Sequence, residues 1–282
     1  VKTGDKSTDT QRVNIDLLHY IITINVEIAN IMATNKRLFI DLLKFEEIGY
    51  MKAFLLAAGL GTRLKPITDN VPKCLVSIHG RPLLAWWMDL FEKHHIEEVL
   101  INTHYLPIPV QKYIKSYNKL KTGTTLVEFY ESKLLGSGGT VLNNRNFIGN
   151  DENFLVCYAD NLTNANLAKM IAYHMSHEGV LTMGLFHTNN PTGCGIAALD
   201  AEGRICEFEE KPQRPTSNLA NAGIYVVNKK IFEYIPKKSV VDFGKDVLPL
   251  LVNKMCGYII DEYLLDIGTM ENYKKAQREW QE

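Results

Sequence analysis

The chain has 282 residues, 46% of them hydrophobic, and a formal net charge of -1; it is long enough to bury a substantial core as one large domain or one domain plus an appendage. No long block of one charge sign runs through it, which argues against a nucleic-acid groove or a polybasic membrane patch and favours small phosphorylated partners over polymers. Five widely spaced cysteines, Cys74, Cys157, Cys194, Cys206 and Cys256, are odd in number and form no C-x-x-C pair, as expected of reduced thiols in a cytoplasmic protein.

Residues 1 to 10 are polar. Leu17, Ile21, Ile24, Ile28 and Ile31 then recur at the spacing of a helix face, and RLFIDLLKFEEIG predicts a second short helix closed by Gly49. A helical hairpin of this length has a thin core, so it is expected to pack on the main domain or on another subunit, which makes a homo-oligomer one of the expected assemblies. The apolar stretch Leu17 to Met32 is interrupted by His19, Asn25, Glu27 and Asn30, too polar and too short for a membrane span. It also lacks the basic start and small-residue cleavage site of a signal peptide.

At Met51 the pattern changes. MKAFLLAAG predicts a strand buried on both faces, LLAWWMDLFEKHH an amphipathic helix, EEVLINTHY a strand, PVQKYIKSYNKL a helix and TLVEFYE another strand. This alternation predicts a mostly parallel sheet with helices on both sides. Further strands are expected at NFLVCYAD, GVLTMGLFHT and AGIYVVN, with GIAALDAEGRICEFEEK as an antiparallel hairpin turning at DAEG. The second half therefore reads as a mixed extension of one sheet, with no six-residue repeat of the β-helix kind.

The sequence AGLGTR after a buried strand offers consecutive backbone N–H groups unobstructed by side chains, a nest for phosphate oxygens, and Arg63 adds a bidentate donor. Two familiar phosphate loops do not match. A dinucleotide fingerprint needs glycine where Leu64 stands, and a P-loop needs G-K-[ST] where Gly61 is followed by Thr62 and Arg63. Asp160 ends the apolar strand FLVCYAD, and a carboxylate at the carboxyl edge of a parallel strand faces the crevice in which such sheets bind ligands. Magnesium is its natural partner, since it prefers oxygen ligands and bridges carboxylates to phosphates. His174 and His177 lie one helical turn apart, but a phosphoryl site rich in oxygen does not need zinc and the pair reads as helix surface. Trp86 and Trp87 read as anchors of a helix on the sheet.

From Met51 to about Lys275 the chain resembles the sugar-1-phosphate nucleotidylyltransferases. LAAGLGTRLKPITDNVPKCLVSIHGRPLL is similar to their signature of a strand, G-x-G-T-R-L, P-K-x-L and a G-x-P-L helix start, and LLGSGGTV, YADN, EFEEKP, NAGIYV and LLDIGT follow in the family's order. The chain departs from the family pattern at Cys74, Ala159 and Leu264. The resemblance implies a Rossmann-like catalytic domain over residues 51–282, after a helical extension over residues 1–50 that is either the remnant of an upstream domain or a mis-set start. It implies attack by a sugar 1-phosphate on the α-phosphorus of an NTP, with pyrophosphate as leaving group, and magnesium as cofactor.

Carried over residue by residue, the resemblance makes Arg63 and Lys73 the catalytic cations, on the β- and γ-phosphates and on the α-phosphate and incoming sugar phosphate respectively. Leu56, Ala57, Ala58, Gly59, Gly61 and Thr62 would line the nucleotide, with Gly138 and Gly139 of LGSGG beneath its base. Glu210, Lys211, Asn221, Gly223 and Gly195 would bind the sugar phosphate, and Asp160 and Asp266 would share the metal. The short guanylyltransferases acting on mannose or manno-heptose 1-phosphate are the most similar branch, which suggests GTP and a place in cell-surface polysaccharide synthesis; uridylyl- and thymidylyltransferases stay open, as does a catalytically silent nucleotide-sugar sensor.

Overall fold

The computed structural model describes residues 51–120 and 123–281, so the hairpin expected over residues 1–50 lies outside the described residues. In chain order, β1 (Met51–Leu56) leads to a small hairpin of β2 (Ser77–Ile78) and β3 (Arg81–Pro82), then α1 (Leu83–Lys93), β4 (Ile96–Thr103), α2 (Pro107–Lys119) and β5 (Thr125–Tyr130). There follow α3 (Ser137–Asn143), β6 (Asn153–Tyr158), β7 (Asn161–Thr163), α4 (Leu167–Met175), β8 (Leu181–His187), β9 (Gly195–Leu199) and β10 (Ile205–Glu210). The chain ends with β11 (Leu219–Asn228), β12 (Met255–Ile259), β13 (Leu264–Asp266) and α5 (Met270–Glu279).

The strands of the first half read as continuous apolar runs because both faces of their sheet are covered. Ala53, Phe54 and Leu55 of β1 and Phe154 to Cys157 of β6 are fully buried. β1 runs parallel to β4 on one side and β6 on the other, with β5 parallel outside β4. β11 then pairs antiparallel with β6 and β8, β12 lies parallel to β8, and the β9–β10 hairpin extends from Leu219 and Ala220 of β11. The sheet has nine strands, and the expected mixed, mostly parallel architecture with flanking helices holds. Among the described residues no helix is long and apolar enough to cross a membrane.

Four features were not legible in the pattern. β12 follows a π-helical turn and a 3-10 turn, α3 reads as a glycine loop because its four leading residues are Ser-Gly-Gly-Thr, α5 carries mostly polar residues, and β7 and β13 are three residues each. The β7–β13 pair sets Asp266 opposite Asn161, and Ile267 N donates to Asp160 O at 2.8 Å. A separate apolar cluster of Leu64, Ile78, Leu83, Trp86, Leu162, Ile267 and Trp280 fastens this pair to the turn after β1 and to α5. Trp86 therefore anchors α1 against Trp280, edge to face at 5.5 Å, rather than against the main sheet. Burying Leu64 alone contributes on the order of 2 kcal/mol to holding that turn.

Candidate active site

The parallel strands β1 and β6 end side by side, and ligands of open α/β sheets bind beyond the carboxyl ends of such strands. The chain leaving β1 turns at Gly61, whose φ of +66° is left-handed and whose missing Cβ would lie 2.9 Å from Thr68 Cγ2, so a side chain there is excluded twice over. Thr68 Oγ1 donates to Gly61 O at 2.7 Å and Leu64 N to the same oxygen at 3.0 Å. Buried Leu64 pins this turn from below, and Arg63 beside it stays largely in solvent. The Ala57 amide is engaged by Asn102 Oδ1 at 2.6 Å, which leaves any anion cradle to the amides that follow it.

Lys73 lies at the floor. It is 9% exposed, and its Nζ donates to Asp160 Oδ2 at 2.5 Å and Asp266 Oδ1 at 3.4 Å. Arg63 reaches the other Asp266 oxygen at 3.9 Å. Burial pushes the Asp266 carboxyl above the ordinary carboxylate range and the charge of Asp160 pushes it further, against the pull of Lys73 and Arg63. Asp160 follows β6 and does not cap α4, whose N-cap is Asn166, accepting from Lys169 N at 3.0 Å.

Two cavities meet at Asp160. One, of about 80 Å³, is lined by Leu56, Ala57, Gly59, Lys73 and Cys74. The other, a cleft of about 300 Å³, is lined by Arg63, Asp160, Gly195, Glu210, Lys211, Asn221, Gly223 and Asp266, together with Tyr158, Cys194 and Asp242. Glu210 fits because two neighbours lack side chains: a Cβ on Gly195 would lie 2.7 Å from its Oε2, and one on Gly244 2.9 Å. Burial raises the Glu210 carboxyl, Lys211 pulls it back, and Asp242 raises it again. Lys211 sits at φ +54° with an exposed side chain whose Nζ is 3.7 Å from Glu210.

The remaining sequence-derived residues are placed differently. Asn221 donates to Tyr225 Oη at 2.7 Å and accepts from Gly223 N at 2.9 Å, so much of its amide, and the Gly223 N–H, are engaged within the protein. Gly138 and Gly139 line neither cavity. They are buried at the start of α3 and donate to Val241 O at 2.9 and 3.1 Å. His174 and His177 both hydrogen-bond Thr182 Oγ1, at 2.8 and 3.0 Å.

A buried network escaped the sequence reading. Glu131 is 2% exposed and accepts from Leu135 N at 3.0 Å, Asn102 Nδ2 at 2.8 Å and Thr140 Oγ1 at 2.5 Å. Through Asn102 it ties the end of β1 to the turn before α3. The available signal was Asn102 itself, a polar residue closing the apolar strand EVLIN in the way Asp160 closes FLVCYAD. Asp242, at the head of DFGK, carried no comparable signal.

Asp160 and Asp266 form an oxygen donor pair suited to magnesium, which takes one or two protein carboxylates and completes its shell from water and phosphate. Among the described residues no cluster of three or more His, Cys, Asp or Glu is arranged for a metal.

Residues 52–282 match the family model described as nucleotidyl transferase. The chain is 32% identical over 231 residues to the bifunctional protein GlmU of Methanocaldococcus jannaschii, covering 77% of this chain and 51% of that one. It is 30% identical over 228 residues to a mannose-1-phosphate guanylyltransferase of Mycobacterium tuberculosis, covering 79% and 63%. The chain thus spans about half to two thirds of the length of these relatives. Among solved structures, HddC from Yersinia pseudotuberculosis complexed with GMP-PN superposes with a TM-score of 0.69 at 25% identity, over 82% of this chain and all of that one. These likenesses, above all the match over residues 52–282, establish that the chain belongs to the nucleotidyl transferase family.

Proposed function

We propose that the chain joins the nucleotidyl group of an NTP to a sugar 1-phosphate. The observation that carries this reading is the convergence of Arg63, Lys73, Asp160 and Asp266 between a glycine turn and a polar cleft. A sugar-phosphate oxygen attacks the α-phosphorus, a new P–O bond forms, and the bond to the β-phosphate breaks to release pyrophosphate. Both reactants are anions, so the protein's part is to place cations where charge develops.

In this reading Arg63, free to move in solvent, takes the β- and γ-phosphates and stays with the pyrophosphate. Lys73 neutralises the α-phosphate and the attacking oxygen. Glu210 accepts a sugar hydroxyl, Lys211 meets the sugar phosphate, and the Gly195 backbone approaches the ring. Tyr225 Oη holds Asn221 and the bulge at Gly223 in place beside it. Asp160 and Asp266 would hold magnesium, which when bound draws charge off the α-phosphate.

For the base and sugar we favour GTP with mannose or manno-heptose 1-phosphate, supported by the guanylyltransferase relative and by the GMP-PN complex of HddC. The product would feed polysaccharide synthesis, and the five free thiols fit a cytoplasmic protein. The test is a matrix of GTP, UTP, dTTP, ATP and CTP against mannose, glucose, heptose and N-acetylated sugar 1-phosphates with magnesium, reading pyrophosphate. One bright cell at GTP is expected. A bright cell elsewhere reassigns the substrates, and a dark matrix favours a silent nucleotide-sugar sensor.

A further inference from the structure

Lys73 is held between the two aspartates that a metal would share. An ion bound to both carboxylates lies about 2.0–2.1 Å from each ligating oxygen, and Lys73 Nζ, at 2.5 Å from Asp160 and 3.4 Å from Asp266, occupies that region. Both carboxylates are partly exposed, yet like charges sharing the same oxygens repel, so the ammonium and a divalent ion cannot both remain there. Arg63 yields easily, since its side chain is 69% exposed. Lys73 does not, because its side chain is 10% exposed and water cannot replace the carboxylates. Its room to move is the small cavity on the Gly59 side, bounded by Leu56, Ala57 and Cys74, and an ammonium displaced into that space needs an anion to meet it.

We propose that Lys73 bars free divalent ions from the Asp160–Asp266 pair, so that the site takes its metal only as a metal–polyphosphate complex whose oxygens draw the ammonium off the carboxylates. This rests on the nucleotidyl-transfer reading for the roles of the two aspartates, but not on which base or sugar is used. Two acids facing two cations are balanced; a bare divalent ion adds uncompensated positive charge, whereas a polyphosphate brings the negative charge that both the ion and Lys73 require. Metal and nucleotide would thus enter together, and Lys73 would arrive on the phosphates by the same movement.

The test uses the full chain, Mn²⁺ as probe and inorganic tripolyphosphate as a ligand without base or sugar, with bound Mn²⁺ read by electron paramagnetic resonance. Wild type is expected to hold Mn²⁺ only when tripolyphosphate is present. Lys73→Gln should bind Mn²⁺ alone at least tenfold more tightly than wild type, while Lys73→Arg, which keeps the charge, should exclude it. Wild type needs no variant to be informative: if it binds Mn²⁺ alone as tightly as with tripolyphosphate, the proposal is overturned. If Lys73→Gln, folded by circular dichroism, gains no affinity while Asp160→Asn abolishes the Mn²⁺–tripolyphosphate complex of wild type, exclusion by Lys73 is wrong and the metal role of the aspartates stands. If Asp160→Asn changes nothing, that metal role fails and the proposal falls with it.

Discussion

At the scale of single residues, Asp160 and Lys211 separate the two halves of the proposed chemistry. Asp160→Asn keeps the shape of the side chain but removes a charge from the pair that faces Lys73. We expect turnover to fall by about 10²–10⁴ with little change in unfolding midpoint; near-normal turnover in a steady-state assay would mean the metal is held elsewhere. Lys211 stands in the cleft beside Glu210 and does not line the small cavity at Gly59. Lys211→Ala should therefore raise KM for the sugar phosphate about tenfold or more and leave KM for the NTP within about twofold. Equal losses for both substrates would show that this lysine is misassigned.

At the scale of elements, the site depends on contacts that bring remote segments together. The β7–β13 pair places acids from distant parts of the chain in one spot, and the Asn102–Glu131–Thr140 network fixes the end of β1 against the start of α3. Glu131 is an acceptor for three donors. Glu131→Gln turns one oxygen into a donor that faces a donor, so a loss of about 2–3 kcal/mol in urea unfolding is expected, with a rise in KM for the NTP larger than that for the sugar phosphate. A variant of wild-type stability would show that the network is not what holds the two turns together.

At the scale of the whole molecule, two buried imidazoles set an acid limit on stability. Burial lowers both His174, at the back of α4, and His94, at the end of α1, to about 4. The unfolded chain takes up protons near the ordinary value of about 6.5 while the folded state refuses them until about 4, so stability is full above pH 6.5 and is lost as pH falls through that window. Each histidine should cost about 2 kcal/mol between pH 7 and 5. His174→Asn should flatten that slope in urea titrations at the two pH values, and an unchanged slope would contradict the assignment. Residues 1–50 precede the matched family region, and we expect a chain starting at Met51 to retain nucleotidyl transfer. A truncated protein that is folded by circular dichroism yet inactive would make the extension part of the enzyme.

The residues to which we assign chemistry were legible because their signals are local. Gly59, Gly61 and Arg63 follow an apolar strand directly, and Asp160 closes another, so the period of burial and the break in it could be read from the sequence alone. The parallel sheet followed from the same alternation of buried strands and amphipathic helices. What depends on distance along the chain was not legible. Three-residue strands such as β7 and β13 have too few positions to show a period, although their pairing assembles Asp160, Asp266 and Lys73. Hydrogen-bond satisfaction is equally nonlocal: Val241 O takes the Gly138 and Gly139 amides, Tyr225 Oη takes Asn221, and buried Glu131 collects three donors. Sequence determined which groups were available; only the tertiary structure decided which of them remain free to meet a ligand, because a buried polar group must be satisfied by whatever neighbour the fold brings to it.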